Sequence, residues 1–391
     1  MQYRSFRDWN LSAIGMGCYG LSGAYGRVDR ESYRKTLQRA YELGVNFFDT
    51  AQAYGEAESF LGQVIRPFRE KVYLATKVSG KEGLKPDLSE VAVRAACHES
   101  LRKLGTDWID LYQVHFDDPD TSVEDTVAAL DRLVCEGKIR HYGVCHLPVQ
   151  KIRKYLACGD LFSILMELSA VARNSRDNLL SLCHEHHLAG LAFSVTGRGG
   201  LTGKFDQQAG FEPGDIRRMD PLFQRERFES LQRVANKFAE IGKGYGASAV
   251  QVAIAWVLAQ EGIVCALTGP SRVAHLEENV KACELQFKPE DLRMIEAFLE
   301  AEDAAMAGRQ RETIQAILTR PLPASSEAAF NDLVYVLETA VLIGLIEEDA
   351  IVPVFRELLS LRNMVDDLGL AILEDIQARV KKLLQLNRQL V

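Results

Sequence analysis

Val45-Asn46-Phe47-Phe48-Asp49-Thr50-Ala51-Gln52-Ala53-Tyr54-Gly55 reads as a short apolar strand ending on a carboxylate, followed by a turn that carries a tyrosine and closes on a glycine. The same construction recurs downstream. Leu74-Ala75-Thr76-Lys77 ends an apolar run on a lysine, and Leu111-Tyr112-Gln113-Val114-His115 ends one on a histidine. Further strand-like runs bring the set to 46–49, 72–77, 109–115, 139–144, 165–168, 190–194 and 264–268. Helix-period stretches lie between them at 30–43, 58–65, 88–104, 123–136, 149–156, 174–185, 222–242 and 247–259. Asp87, before Leu88-Ser89-Glu90, and Ser122, before the helix from Val123, are the expected caps. Strand then helix, repeated over about 250–300 residues, is the pattern of a parallel sheet, and the count fits a (β/α)8 TIM barrel. An open doubly wound sheet is the rival. No GxGxxG follows the first strand, which weakens it.

A chain of 391 residues has room for one large domain and a small one. With 47% hydrophobic and 26% charged residues it reads as soluble and globular. Forty-six basic against 54 acidic residues give a net charge of −8, which argues against a nucleic-acid partner and offers no basic stripe. No apolar run reaches the ~18 residues of a membrane span. The start, Met1-Gln2-Tyr3-Arg4-Ser5-Phe6-Arg7-Asp8, has no apolar core of a signal peptide. Eight cysteines at irregular spacing, none in CxxC, are expected to be reduced thiols of a cytoplasmic protein.

Composition changes near residue 300. The first 300 residues hold all eight Cys, all eight His, all three Trp and 26 of 29 Gly, while the last 91 carry 9 basic and 14 acidic residues. A segment without Cys or His is poorly equipped for metal or thiol chemistry, so the chemistry belongs to residues 1–300. Residues 301–391 read as a small all-α C-terminal domain. Helices at 302–318 and 327–345 flank a break, Arg320-Pro321-Leu322-Pro323-Ala324-Ser325-Ser326, in which Pro stops one helix and Ser caps the next. A third helix begins near Pro353. The last has a stripe of Val365, Leu368, Ile372, Ile376, Val380, Leu383 and Leu390, which packs within a bundle or joins copies into a homo-oligomer.

A parallel barrel keeps its active site at the C-terminal ends of its strands. Asp49, Lys77 and His115 stand at such ends, and Tyr54 lies on the loop after the first of them. Four groups able to share protons therefore meet at one mouth, an acid–base site. In this reading Lys77 favours the phenolate and lowers the pKa of Tyr54, Asp49 orients Lys77, and His115 hydrogen-bonds a substrate oxygen.

The run Asp49-Thr50-Ala51-Gln52-Ala53-Tyr54-Gly55-Glu56-Ala57-Glu58 resembles the DTAxxYGxxE signature of the aldo-keto reductases. The resemblance continues through Ala75-Thr76-Lys77, Asp110–His115, Gly137-Lys138-Ile139-Arg140 and Gly197-Arg198-Gly199-Gly200-Leu201-Thr202-Gly203-Lys204, and ends near Glu277-Glu278-Asn279. It covers residues 1 to about 300. It implies a barrel that binds NADPH without a Rossmann domain, and a small-molecule carbonyl substrate. Asp49, Tyr54, Lys77 and His115 match the family's tetrad, in which the tyrosine protonates a carbonyl as hydride arrives. Phe193 matches the aromatic that stacks on the nicotinamide, and Ser194 follows it. Gly197, Arg198 and Lys204 belong to the segment that folds over the pyrophosphate. Ser271 and Arg272 match the 2′-phosphate position, and Glu278 and Asn279 the adenine position; guanidinium-to-phosphate pairing would favour NADPH over NADH. Tyr19 and Phe116 are expected to line the mouth and touch substrate.

The nicotinamide-amide clamp departs from the family. Cys145-His146 replaces the usual Ser-Asn, Leu165 with Met166 beside it replaces a Gln, and Phe193-Ser194-Val195-Thr196 replaces Tyr-Ser-Pro-Leu. Three lost partners give up hydrogen bonds of about 1 kcal/mol each. Two alternatives to reduction follow: a non-redox lyase, dehydratase or isomerase on the same tetrad, and a binding or regulatory subunit that uses the helical tail. Other features have plainer readings. Cys183-His184-Glu185-His186-His187 matches no metal spacing and sits at a helix end, where His suits the dipole. Cys145 and His146, adjacent on a strand, point to opposite faces, so packing is favoured over a thiolate–imidazole pair. Arg272 could equally be a solvated surface residue.

Overall fold

The computed structural model describes residues 1–78, 86–145, 147–206, 210–212, 214–362, 364 and 369–386. Strands β1 (Tyr3–Phe6) and β2 (Trp9–Ser12) form an antiparallel hairpin. Eight parallel strands then close a barrel: β3 (Ile14–Gly17), β4 (Phe47–Asp49), β5 (Tyr73–Val78), β6 (Ile109–Val114), β7 (Ile139–Cys145), β8 (Ser163–Glu167), β9 (Ala189–Phe193) and β10 (Ile263–Thr268), with β10 returning to pair with β3. The helices between them are α1 (Arg30–Glu42), α2 (Ala57–Ile65), α3 (Glu90–Leu104), α4 (Val123–Cys135), α5 (Val149–Cys158), α6 (Ser181–Glu185), α7 (Arg225–Tyr245), α8 (Ala249–Leu258) and α9 (Val273–Lys281). The TIM-barrel expectation holds, with one strand more than the sequence reading found. β3, Ile14-Gly15-Met16-Gly17, escaped because two of its four residues are glycines. A Cβ on Gly15 would lie 2.6 Å from Leu267 Cδ2 and 2.9 Å from Cys265 Sγ, so the barrel interior leaves no room for a strand-forming side chain there.

Two compact units divide the chain: Met1–Lys204 with Ala235–Gln286, and Phe205–Val234 with Phe287–Val391. In the first, alternation along each strand turns Phe47, Ala75, Leu111, Cys145, Leu165, Leu191 and Cys265 into one apolar interior. The β1–β2 hairpin plugs the end where the strands begin. Trp9 stacks on Tyr73 at 4.4 Å, and Asn46 Oδ1 accepts from the Ser12 amide at 2.7 Å. The plug leaves the strands' C-terminal ends as the open mouth. Ser122 caps α4 as expected, accepting from the Asp125 amide. At α3 the cap is Ser89, and Asp87 instead accepts from the Ser89 amide at 3.0 Å. The helix expected over 174–185 is a π-helical turn, Arg176–Leu180, running into α6.

The second unit carries α10 (Pro289–Thr319), α11 (Ser326–Leu342), α12 (Glu348–Ser360) and α13 (Leu370–Leu386). α10 is a single 31-residue helix that runs straight through the compositional change near residue 300. Ser325 caps α11 after the Pro break. Ile314, Phe330, Leu333, Leu337, Leu358, Leu373, Ile376, Val380 and Leu384 form its core. The stripe on the last helix is thus rotated from the expected one: Leu373 is fully buried while Ile372 is 46% exposed. Val365, Leu368 and Leu390 lie outside the described residues. Between β9 and α7, Phe211 packs on Phe205 and Phe223, and the Arg217 guanidinium, held by Asp215, lies over the Phe205 and Phe211 rings. Among the described residues no helix is long and apolar enough to cross a membrane.

α2 packs closely on α3 at Gly62. A Cβ on Gly62 would sit 2.2 Å from the Leu104 carbonyl oxygen, against backbone that cannot rotate away. Gly62→Ala should therefore lower stability by about 1–3 kcal/mol. The urea midpoint should fall with unchanged slope. A wild-type midpoint would mean that the two helices do not approach so closely.

Candidate active site

Register and parity build the site. Asp49 pairs with Ala75, and Lys77 with Gln113, across β4, β5 and β6. Residues two apart share a face, so Phe47 and Asp49, Ala75 and Lys77, and Leu111 and Gln113 all turn inward, with His115 next in that series. The apolar members fill the barrel and the polar members stand at its rim. Lys77 is only 1% exposed, and Asp49 and His115 are also buried. Lys77 Nζ donates to Asp49 Oδ1 at 2.5 Å and to the Thr50 carbonyl at 2.7 Å. Gln113 Nε2 donates to the other Asp49 oxygen at 3.3 Å. Sequence reasoning missed Gln113, although its place two residues before His115 was the available signal.

Tyr54 reaches the same point from the β4–α2 loop. Two backbone bonds fasten that loop to β5, Thr50 N to Ala75 O at 3.0 Å and Gln52 N to Lys77 O at 3.4 Å. The half-buried Tyr54 ring has its centroid 5.1 Å from Lys77 Nζ and meets the His115 ring nearly edge-on at 5.9 Å. All four predicted acid–base residues are therefore together. Electrostatics differ from the sequence reading in one respect. Burial, and then the Asp49 charge, push the Tyr54 hydroxyl well above its ordinary pKa rather than below it. Lys77 does not reverse this because its ammonium is already committed to Asp49 and Thr50. Burial likewise raises the Asp49 carboxyl, opposed by Lys77 and Gln113.

Aromatic rings surround this group. Tyr19 packs edge-on against Tyr54 at 5.0 Å, and Phe116, 39% exposed, stacks on His115 at 4.1 Å. Tyr25, which no motif pointed to, packs on Tyr19 at 5.6 Å. Cys145 and Leu165 are register partners and both belong to the apolar interior. Burial raises the Cys145 pKa, so it is a thiol. His146 lies outside the described residues.

Phe193 ends β9, and the chain then turns tightly. Ser194, Gly197, Arg198, Gly199 and Gly203 all have positive φ, with Gly197 N bonded to Ser194 O at 2.7 Å and Gly200 N to Gly197 O at 2.8 Å. Arg198 is held by Glu167 at the end of β8, 3.1 Å away. Lys204 reaches the first turns of α9, where its Nζ lies 3.2 Å from His275 Nε2. Ser271 and Arg272 are exposed just before α9; the Ser271 carbonyl accepts from Ser32 at 2.8 Å. Further along α9, Asn279 is buried and the Glu278 carbonyl accepts from Gln251 at 2.9 Å. The 183–187 histidines diverge: His184 lies by Glu261, His186 by Glu185, and His187 against the Phe6 ring. Among the described residues no group of three or more His, Cys, Asp or Glu is placed to hold a metal.

Comparison with known proteins matches residues 13–300 to the model of the Aldo/keto reductase family. An aldo-keto reductase of Strobilurus tenacellus is 32% identical over 320 residues, covering 79% of this chain and 94% of the relative. Among solved structures, a glycerol dehydrogenase of Gluconobacter oxydans superposes with a TM-score of 0.70 at 25% identity, covering 77% of this chain and 96% of that one. An aldo/keto reductase of Klebsiella pneumoniae, solved in complex with NADP and acetate, gives 0.60 at 25% identity, covering 74% and 92%.

Removing one partner of a buried ion pair strands the other. Lys77→Met should cost about 3–5 kcal/mol near neutral pH. The sign of its pH dependence follows from Asp49. Unpaired and buried, its folded pKa stands above the unfolded one, so the penalty on the charged form is absent in acid and grows as pH rises. Denaturant midpoints should show a larger deficit against wild type at pH 8 than at pH 5. Equal deficits would mean that Asp49 carries no charge in the native protein.

Proposed function

This chain belongs to the aldo/keto reductase family, and on that premise we propose that it reduces an aldehyde or ketone with NADPH, Tyr54 being the general acid. The observation that carries the reading is the Lys77–Asp49 pair set under a phenol that keeps its proton. A hydroxyl with a raised pKa is protonated throughout the working range, ready to donate to a carbonyl oxygen. Once Tyr54 has donated, the ammonium 5.1 Å from its ring stabilises the phenolate. Asp49 and the Thr50 carbonyl fix the position of that ammonium. His115, edge-on to Tyr54, meets the same carbonyl oxygen from the other side and sets its approach. Tyr19 and Phe116 flank the reacting group and exclude water.

The residues along the β9 loop and α9 fit a dinucleotide at its phosphate end. Lys204 and Arg272 bring positive charge beside His275, whose pKa is lowered first by burial and then by those two cations. The turn from Gly197 to Gly203 would cover the pyrophosphate, and Glu278 and Asn279 would meet the adenine. When bound, the reduced nicotinamide supplies the hydride that reaches the carbonyl carbon. The Klebsiella relative's NADP complex and the Gluconobacter enzyme's alcohol dehydrogenation agree with this chemistry.

Cys145 and Leu165 favour a second reading. Both are packed in the barrel's apolar interior, so neither serves as a strong polar partner for the carboxamide. That supports a non-redox elimination or isomerisation on the same tetrad. Following NADPH absorbance against a panel of aldehydes and ketones separates the two: oxidation of the cofactor in step with product supports reduction, and product without it supports the second reading. Tyr54→Phe should lower turnover by about 10²–10⁴-fold while leaving NADPH binding nearly unchanged. Wild-type turnover in that variant would remove Tyr54 from the chemistry.

A further inference from the structure

We infer that His275 is a proton-linked recognition group for the cofactor's 2′-phosphate, so that preference for NADPH over NADH strengthens as pH falls. The inference rests on the reading that the α9 end of the barrel holds a phosphorylated dinucleotide.

The argument begins with the 3.2 Å contact between Lys204 Nζ and His275 Nε2. A lysine ammonium has donors and no lone pair, so Nε2 must accept, and the imidazole is neutral with its proton on Nδ1. Arg272 stands three residues earlier, exposed at the residue that precedes α9, with no side-chain cap on that helix. Three groups able to carry positive charge thus gather where the helix also turns unsatisfied N–H groups outward. Burial, Lys204 and Arg272 all disfavour a proton on His275, and Glu278, three residues along the helix, is the group that attracts one. α1, α8 and the turn Ala282–Glu284 pack on α9; their acidic groups are Glu31 and Glu42 on α1, beside Lys35 and Arg39, and Glu284 on the turn. α1 brings Arg39 to Glu277 and Ser32 to the Ser271 carbonyl, and α8 brings the neutral Gln251 to the Glu278 carbonyl.

A phosphate monoester, carrying close to two negative charges at neutral pH, inverts this balance. Placed between Lys204 and Arg272 it draws the ammonium away from Nε2 and favours an imidazolium, which then donates from Nε2 to a phosphate oxygen. One proton enters from solvent, and no bond to the cofactor forms or breaks. NADH presents a hydroxyl at the same point and draws no proton. The histidine therefore acts as a neutral spacer in the empty protein and as a third cation once the phosphate arrives.

The test is equilibrium titration of the full chain with NADPH, NADH and adenosine 2′-monophosphate from pH 6.5 to 8.5, with calorimetry in two buffers of different ionisation enthalpy. The NADPH and adenosine 2′-monophosphate Kd values should tighten as pH falls, by up to about tenfold per unit between the free and bound pKa of His275. The NADH Kd should stay nearly flat. Calorimetry should show up to about one proton taken up per phosphorylated ligand. His275→Gln, which keeps a neutral hydrogen-bonding side chain, should flatten the NADPH profile and abolish the uptake. Parallel NADPH and NADH profiles, or a slope that persists in His275→Gln, would overturn the inference while leaving the dinucleotide site standing. If neither phosphorylated ligand binds at millimolar concentration, the dinucleotide reading falls and this inference with it.

Discussion

The buried bond between Lys77 and Asp49 is the interaction around which the mouth of the barrel is built. Two opposite charges with almost no exposure lose their hydration, and that loss is recovered only if geometry is good and the remaining donors and acceptors are satisfied. Here the conditions are met by neighbours that the fold supplies. The Thr50 carbonyl takes a second ammonium proton, and Gln113 takes the second carboxylate oxygen. Thr50 is itself held by its amide to β5, so the loop that carries Tyr54 is tied to the strand that carries Lys77. The pair thereby connects two strands and one loop, and the phenol's position follows from theirs.

Parity explains why so much of this was legible in the sequence. A strand that fills a barrel must place apolar side chains inward at every second residue, and the last inward position before the chain leaves the strand meets the mouth. Phe47 to Asp49, Ala75 to Lys77 and Leu111 to His115 each display that change from apolar to polar in the sequence itself. What was hidden has equally physical causes. β3 was hidden by its two glycines, of which Gly15 has no room for a side chain beside Leu267, Cys265 and Phe47. The rotation of the stripe on α13 depends on which helices lie beside it, and a spacing of 3, 4 and 7 does not fix that phase. The direction of the Tyr54 shift was missed for a similar reason. Whether a nearby ammonium lowers a phenol's pKa depends on whether a carboxylate has already claimed it, a matter of distances rather than of residue types.

The mouth and the α9 end handle charge in opposite ways. At the mouth Lys77 and Asp49 neutralise each other, and Tyr54 beside them holds its proton. At the α9 end Lys204 and Arg272 stand beside a neutral His275, and Glu278 is the acidic group that acts on it. Positive charge that the protein itself leaves uncompensated is a store of binding energy for an anion, since the anion relieves a repulsion as well as forming contacts. In the proposed function this is the charge that meets the cofactor's phosphates.

That contrast bears on the altered amide clamp. Cys145 and Leu165 lie in the barrel's apolar interior, so in the proposed complex neither supplies a strong directional bond to the nicotinamide amide. In the proposed complex orientation would come from shape, with the Phe193 face at the end of β9 and the rim formed by Tyr54 and His115 setting the ring. Affinity in the proposed complex would then rest on the phosphate end, far along the chain from the chemistry. Binding energy realised away from the reacting atoms can still drive reaction if the ligand is rigid enough to transmit it. In the proposed function the cations beside α9 and the apolar clamp at β7–β8 are two halves of one arrangement, the first supplying the hold that the second lacks.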